Sequence, residues 1–252
     1  MSSESRKIAL ITGASRGIGA KTAILFAKHG YDICINYKSN TEEAEKVMCQ
    51  IREFGVRCKA VKADVSKEVE VKSLFSQVKE KLGTITVLVN NAGILKRQMP
   101  LVEMDEQRIN QILTTNVTSY FLCAKYAIKT MSTKYGGIGG SIVNVSSGAA
   151  KSGSPNEYID YAASKGAIDS MTLGLAKEVA TQGIRVNCVR PGLIYTDMHA
   201  DGGEPERIER LKNNVPMKRG GYPEEVAEAI YWLACDKSSF TTGGFIDVIG
   251  GL

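Results

Sequence analysis

The short apolar run Lys7–Thr12 empties into Gly13-Ala14-Ser15-Arg16-Gly17-Ile18-Gly19 and then into the helical stretch Ile18–His29. Strand, glycine-rich turn and helix in so few residues leave the backbone little freedom. The turn must reverse tightly, let other backbone approach closely and press the helix onto its strand, which glycine permits. The helix start also presents free N–H groups and the positive end of a dipole, a ready anion site. Gly13, Ser15, Arg16, Gly17, Ile18 and Gly19 are therefore candidates for holding a pyrophosphate. Their spacing is Gly-x-x-x-Gly-x-Gly, not the commoner Gly-x-Gly-x-x-Gly, and a tight strand-to-helix turn with no ligand is the plainer alternative.

The alternation continues along the chain. Asp32–Tyr37 reads as a strand, Thr41–Phe54 as a helix, Val56–Lys62 as a strand, Lys67–Leu82 as a helix and Ile85–Asn90 as a strand. One long helical tract is expected from Asp105 to about Tyr135, then a strand over Ser141–Ser146 and a helix through Tyr161 to about Thr181. A strand over Ile184–Arg190 closes on Pro191-Gly192, helical pieces lie near Glu204–Asn214 and Pro223–Cys235, and Gly244–Ile249 is the last strand. Strands alternating with helices of this length imply βαβ units on a parallel sheet, an α/β fold. No linker or compositional break divides the 252 residues, so a single domain over 1–252 is expected.

Composition narrows the function classes. The net charge of +5 is spread among acids, which favours neither a nucleic-acid stripe nor a membrane-surface helix. No apolar run is long enough to span a bilayer, and the polar start MSSESRK lacks the core of a signal peptide. Cys34, Cys49, Cys58, Cys123, Cys188 and Cys235 are scattered with no Cys-x-x-Cys, as in a reduced cytoplasmic protein. His29 and His199 stand far from any ligand-like cluster, so no metal is expected.

Chemistry concentrates in Ser147–Lys165. Tyr161 and Lys165 are four apart and share one helix face. A tyrosine titrates near pH 10, and a nearby ammonium is expected to lower that value toward acid–base service. A serine from the preceding strand end would donate a hydrogen bond to a carbonyl oxygen. The set suits proton transfer at oxygen while a cofactor's hydride moves at carbon. With ten tyrosines in the chain, Tyr-x-x-x-Lys alone carries little. At the end of the second strand, where an acid would hold the ribose diol of NAD, stand Asn36-Tyr37-Lys38. Arg16 and Lys38 would meet a 2′-phosphate, which favours NADP(H) and leaves NAD(H) open.

The ordered set of motifs is similar to that of the short-chain dehydrogenase/reductase family over essentially the whole chain. It comprises Thr12-Gly13 through Gly19, Asp64-Val65, Asn90-Asn91-Ala92-Gly93, Asn116, Ser147, Tyr161 with Lys165, and Pro191-Gly192-Leu193-Ile194-Tyr195-Thr196. The nearest flavour is that of bacterial glucose 1-dehydrogenase-like and 3-oxoacyl-carrier-protein-reductase-like oxidoreductases. The resemblance implies a Rossmann-type, doubly wound parallel sheet of about seven strands with helices on both faces. It implies that Asp64 and Val65 flank the adenine and that Asn91, Ala92 and Gly93 line the cofactor. Asn116 would loosen its helix and hold a water leading to Lys165. Ser147 would hold the substrate oxygen, Tyr161 would give or take its proton, and Lys165 would also contact the nicotinamide ribose. Pro191 and Gly192 belong to the same cofactor wall, where Ile194 and Thr196 would fix the carboxamide. Ser146 stays an alternative to Ser147, because neighbours in extended backbone point to opposite sides.

Several expectations rest on weaker signals. Ala163, Ala167, Ser170 and Gly174 form a stripe of small residues on the catalytic helix, read as a subunit interface of a homodimer or homotetramer, with packing inside the chain as the alternative. Residues 195–217 read as a mobile lid that selects the substrate. Ser152, Asn156, Glu157 and Tyr158 are expected in the pocket, hinting at a sugar or polyol. Lys96, Arg97, Lys125 and Lys129 would serve an acyl-carrier-protein thioester. The expected activity is an NADP(H)-dependent oxidoreductase acting on a small carbonyl or secondary alcohol. The competing class is a non-catalytic dinucleotide-binding or interaction protein on the same fold.

Overall fold

The computed structural model describes residues 6–252; residues 1–5, most of the polar start read above, lie outside the described residues. In chain order the main elements are β1 (Ile8–Ile11), α1 (Gly17–Lys28), β2 (Asp32–Tyr37), α2 (Thr41–Arg52), β3 (Cys58–Lys62), α3 (Glu68–Lys81) and β4 (Val87–Asn90). There follow α4 (Glu106–Leu113), α5 (Ser119–Met131), β5 (Gly140–Val145), α6 (Ala149–Ser152), α7 (Ile159–Val179) and β6 (Ile184–Pro191). The chain closes with α8 (Met198–Asp201), α9 (Arg207–Leu211), α10 (Pro223–Ala234) and β7 (Phe245–Val248).

The seven strands form one parallel sheet in the order β3-β2-β1-β4-β5-β6-β7. Parallel strands need crossover helices, which cover both faces, so central strands are apolar throughout. β1 and β4 are buried along their whole length. Alternate side chains feed two cores. Ala9 and Ile11 of β1 join α1, α2 and α10 on one face, while Ile8 and Leu10 join α3, α5 and α7 on the other. The winding reverses between β1 and β4, and the crevice beyond their carboxyl ends is where ligands of such sheets bind.

The long tract expected from Asp105 to Tyr135 is not one helix. Asp105 caps α4 by accepting from the Arg108 N–H at 2.7 Å. Residues Thr114–Thr118 then form a π turn around Asn116, and α5 ends where Ser132 adopts extended backbone. Apolar periodicity cannot register one extra residue per turn, so the break was hidden. The helical piece expected over Glu204–Asn214 shrinks to α9 and a 3₁₀ turn, while α6 and α8, one turn each, are too short to leave a periodic signal. Arg108, nearly buried, donates to the Asp160 carboxylate at 2.8 Å and pins the start of α7 to α4.

The glycine-rich turn is clamped against the end of β4. A Cβ on Gly19 would stand 2.5 Å from Asn91 Nδ2 and 2.7 Å from the Gly13 carbonyl oxygen. Gly19→Ala should therefore destabilise the fold by about 1–3 kcal/mol through overpacking. The urea midpoint reads this, and an unchanged midpoint would mean the turn is looser than described.

Candidate active site

Two residues bind the β1 turn to the β4 end. Thr12 Oγ1 accepts from the backbone N–H of Asn91 at 3.0 Å and of Ala92 at 3.1 Å. Asn91 Nδ2 returns two bonds, to the Thr12 carbonyl at 2.9 Å and the Gly13 carbonyl at 3.0 Å. Gly13 and Gly17 adopt φ of +61° and +55°, which disfavours side chains. The first turn of α1 contains no acid, and its N-cap Arg16 makes no side-chain capping bond. The leading N–H groups are thus available to an anion, and the turn fits a dinucleotide pyrophosphate. Ser15 is half-buried in the same turn, and Gly17 lies against Thr196, whose methyl carbon is 3.4 Å from the position of an added Cβ.

From Ile18 and Asn91 a cavity of about 600 Å³ runs to Ser147, Tyr161 and Lys165 and is closed by Pro191, Gly192, Ile194 and Thr196. Tyr161 and Lys165 project from α7 one turn apart. Ser147 hydrogen-bonds the Tyr161 hydroxyl and also accepts from the Ala149 N–H at 3.1 Å. Ser146 Oγ instead donates to the Lys165 carbonyl at 3.1 Å and is buried. The alternation of side chains at the end of β5 thus turns Ser147 toward Tyr161 and Ser146 toward the α7 backbone.

The electrostatics differ from the expectation. Burial pushes the Tyr161 hydroxyl up to about 12, and the Ser147 hydrogen bond only partly opposes it. Lys165 does not lower it: its Nζ lies 5.7 Å from the Tyr161 ring centroid and donates to the Val145 carbonyl at 2.8 Å and the Tyr120 hydroxyl at 3.3 Å. Burial drives Lys165 itself down to about 8, only partly opposed by Cys188 and Asp169. Spacing alone registered the shared face but not the desolvation, which dominates both groups.

Asn116 is also more committed than expected. Its Oδ1 accepts from the Ile94 N–H at 2.8 Å, while Nδ2 donates to the Ile94 carbonyl at 3.0 Å and to Ser164 Oγ at 3.2 Å. The π turn does loosen the helix there, but the side chain is spent on the loop after β4. Gly93 keeps open the space between Asn116 and Lys165: an added Cβ would stand 3.5 Å from Asn116 Oδ1 and 3.6 Å from Lys165 Nζ.

Comparison with known proteins agrees with this geometry. A family model described as enoyl-(acyl carrier protein) reductase matches residues 13–252. The oxidoreductase YgfF of Escherichia coli (strain K12) is 55% identical, over 97% of this chain and 99% of its own. The 3-oxoacyl-[acyl-carrier-protein] reductase FabG of Staphylococcus aureus (strain Mu50) is 37% identical over 98% of both chains. The crystal structure of a short-chain type dehydrogenase/reductase from Mycobacterium marinum superposes with a TM-score of 0.90 at 32% identity, over 97% of this chain and 94% of that one. This chain belongs to the short-chain dehydrogenase/reductase family. It is accordingly an oxidoreductase working between CH–OH and carbonyl groups.

In this short-chain dehydrogenase/reductase the residues expected to select the cofactor stand apart from one another. The Asn36 carboxamide is buried, donates to the Ala63 carbonyl at 2.9 Å and accepts weakly from the Gly13 N–H at 3.4 Å. It braces the glycine-rich turn against β3. Lys38 is exposed but pairs with Asp64 at 2.8 Å, and Val65 is buried in the core. Arg16 pairs with Asp201 and, at 3.8 Å, with Asp197, both just before or within α8. The 195–217 segment is tied further: Arg207 binds Glu157, and Glu204 at 3.1 Å. Of the expected pocket residues, Ser152 and Tyr158 line the cavity, while Glu157 is taken by Arg207. Leu95, Met198, Leu211 and Leu252 give the same cavity an apolar wall that sequence reading did not foresee, since they come from four separate segments. Of the expected basic patch, Lys125 is paired with Glu68 at 2.7 Å. The small-residue stripe faces outward, with Ala163, Ser170 and Gly174 exposed, so packing inside the chain is not its role.

Three expectations follow for measurement. Lys165, held at about 8 in the fold against a usual 10.5, takes up fewer protons than the unfolded chain between those pH values. Its contribution therefore destabilises below pH 8 and is relieved as pH rises toward 10.5. Lys165→Met should be more stable than the parent at pH 7, with the gap closing across that interval in thermal unfolding. Ser147→Ala should lower kcat by about 100-fold or more, as loss of one polarising donor does. Ser146→Ala should instead cost about 1 kcal/mol of stability and little activity.

Proposed function

We propose that the protein is an NADP(H)-dependent reductase or dehydrogenase of a small carbonyl or secondary alcohol. The observation that carries this reading is one continuous cavity. It begins at an acid-free helix start and ends at a serine hydrogen-bonded to a half-buried tyrosine, with a buried lysine one turn on. The substrate class spans sugars, polyols, ketones and 3-oxoacyl compounds; the kinship with a 3-oxoacyl-[acyl-carrier-protein] reductase supports the last of these.

Bound at this site, a nicotinamide would supply or accept the hydride. In the reducing direction Ser147 Oγ donates a hydrogen bond to the substrate carbonyl oxygen. Tyr161, which keeps its proton well above neutral pH, delivers it to that oxygen as charge develops. The Lys165 ammonium stabilises the tyrosinate left behind and holds the ribose, and Ser147 stays bonded to the same oxygen. Gly13, Ser15, Gly17, Ile18 and Gly19 would receive the pyrophosphate. Asp64 and Val65 would flank the adenine, while Asn91, Ala92, Gly93, Pro191, Gly192, Ile194 and Thr196 would enclose the nicotinamide half. NADP(H) is favoured because no acid points from the end of β2, whereas Arg16 and Lys38 both stand exposed near the turn and would exchange their carboxylate partners for a 2′-phosphate.

Residues 1–252 act as one domain, with 195–217 as lid. The outward small-residue stripe on α7, with the exposed Leu173 of the same helix, serves as the interface of a homodimer or homotetramer. The free cysteines suit a reducing cytoplasm.

Titrating unfolding temperature with NADPH, NADP⁺, NADH and NAD⁺ tests the cofactor, since a ligand bound only by the fold stabilises it by RT ln(1 + [L]/Kd). The phosphorylated pair should stabilise most, and Arg16→Ala with Lys38→Ala should erase the difference. A preference for NAD(H) would overturn the cofactor assignment, and no shift with any nucleotide would overturn the whole reading. Tyr161→Phe should abolish turnover in a carbonyl screen with NADPH while leaving the thermal shift intact. Retained turnover would remove Tyr161 from its role.

A further inference from the structure

Lys165 has a neighbour that the family motifs do not include. Tyr120, in the first turn of α5, is fully buried with its hydroxyl directed at the end of β5. That hydroxyl donates to the Val145 carbonyl at 2.9 Å, and Lys165 Nζ donates to the same carbonyl at 2.8 Å. The third side of the triangle is Lys165 Nζ to the Tyr120 hydroxyl, 3.3 Å. A carbonyl oxygen can only accept, so the phenolic hydrogen is spent on Val145 and only lone pairs face the ammonium. Tyr120 is thus an acceptor for Lys165, and the ammonium also lies 5.1 Å from the Tyr120 ring centroid.

We propose that Tyr120 is a positioning residue: its hydroxyl holds the Lys165 ammonium against the Val145 carbonyl and thereby aims the remaining N–H toward Tyr161 and the space beside Gly93. An ammonium has three hydrogens. Two are fixed by Val145 and Tyr120, and the third is left for the side on which Gly93 keeps room. Among the described residues no carboxylate forms an ion pair with Lys165. Asp169, one turn further on α7, is bound by Arg190 at 2.9 Å. The other groups facing Lys165 are Tyr161 on its own helix, Cys188 of β6, whose thiol burial drives up, and the neutral Asn116 of the π turn across the Gly93 space. Tyr120 therefore gives a hydroxyl acceptor to a cation that, among the described residues, is buried without a counter-ion.

The inference rests on the reading that the Lys165 ammonium serves Tyr161. Tyr120→Phe keeps the ring and removes the acceptor. In ketone reduction with NADPH the activity that needs the ammonium is lost as pH rises through the Lys165 value. The alkaline limb of the kcat profile should move to lower pH by about one unit, the worth of one hydrogen bond to a charged group. KM for the ketone should be unchanged. A limb that stays in place overturns the proposal, because a merely structural role would lower stability without moving it. Should Tyr120→Phe fail to fold, 3-fluorotyrosine at position 120, a weaker acceptor of nearly the same shape, should move the limb the same way by less, and an unmoved limb there is equally decisive. The stability–pH curve provides a reading independent of turnover. Its rise near pH 8, which reports Lys165, should begin at lower pH in Tyr120→Phe. A wild-type enzyme that reduces no carbonyl would sink the proposed function, and that curve would still decide the role of Tyr120.

Discussion

Backbone meets backbone where β1 and β4 end, and the site depends on that contact. A Cβ on Gly13 would stand 2.8 Å from Ala92 Cα, so the two chain ends pass with no side chain between them. Thr12 and Asn91 satisfy the polar groups that this closeness would otherwise strand. The contact sits where the sheet reverses its winding, so closing it places the start of α1 at the head of the crevice. Asn36 reinforces it from β2. A residue in ligand position by sequence count has become a brace, because a buried carboxamide must spend its bonds on whatever carbonyls surround it.

At the other end of the cavity, burial sets the chemistry. Tyr161 and Lys165 are both moved by desolvation, in directions that disfavour charge on either. The fold therefore holds a firmly protonated tyrosine beside a reluctant ammonium. That is an arrangement of stored proton-donating capacity more than of a preformed phenolate. It also weakens the fold, since an ammonium in this setting opposes folding at neutral pH, as functional groups in cores commonly do.

Charge at the mouth is bound in pairs. Arg16 reaches to Asp201, Lys38 to Asp64, and Arg207 to Glu157 and Glu204. The exposed pairing of Arg16 is weak, about 0–1 kcal/mol, whereas Arg207 makes its two pairs from a buried position. The pairing of Arg16 with α8 also links the glycine-rich turn to the 195–217 segment, which sequence reading had treated as separate regions.

Strand–helix alternation, one parallel sheet, the glycine turn and the Tyr161–Lys165 face were legible in the sequence, because they rest on local periodicity and on short fixed spacings. Local rules also limited Ser146 and Ser147 to opposite sides, yet only the packing of α7 over β5 decided which faces Tyr161. The π turn at Asn116, the burial that overrides the expected effect of Lys165 on Tyr161, the diversion of Asn36 and the presence of Tyr120 beside Lys165 all required the tertiary structure. Each depends on the dielectric surroundings or on hydrogen-bond partners contributed by segments distant in the chain, such as Val145 for Lys165 and Ala63 for Asn36. Periodicity carries no record of such encounters, because the partners come together only when the sheet and its covering helices assemble.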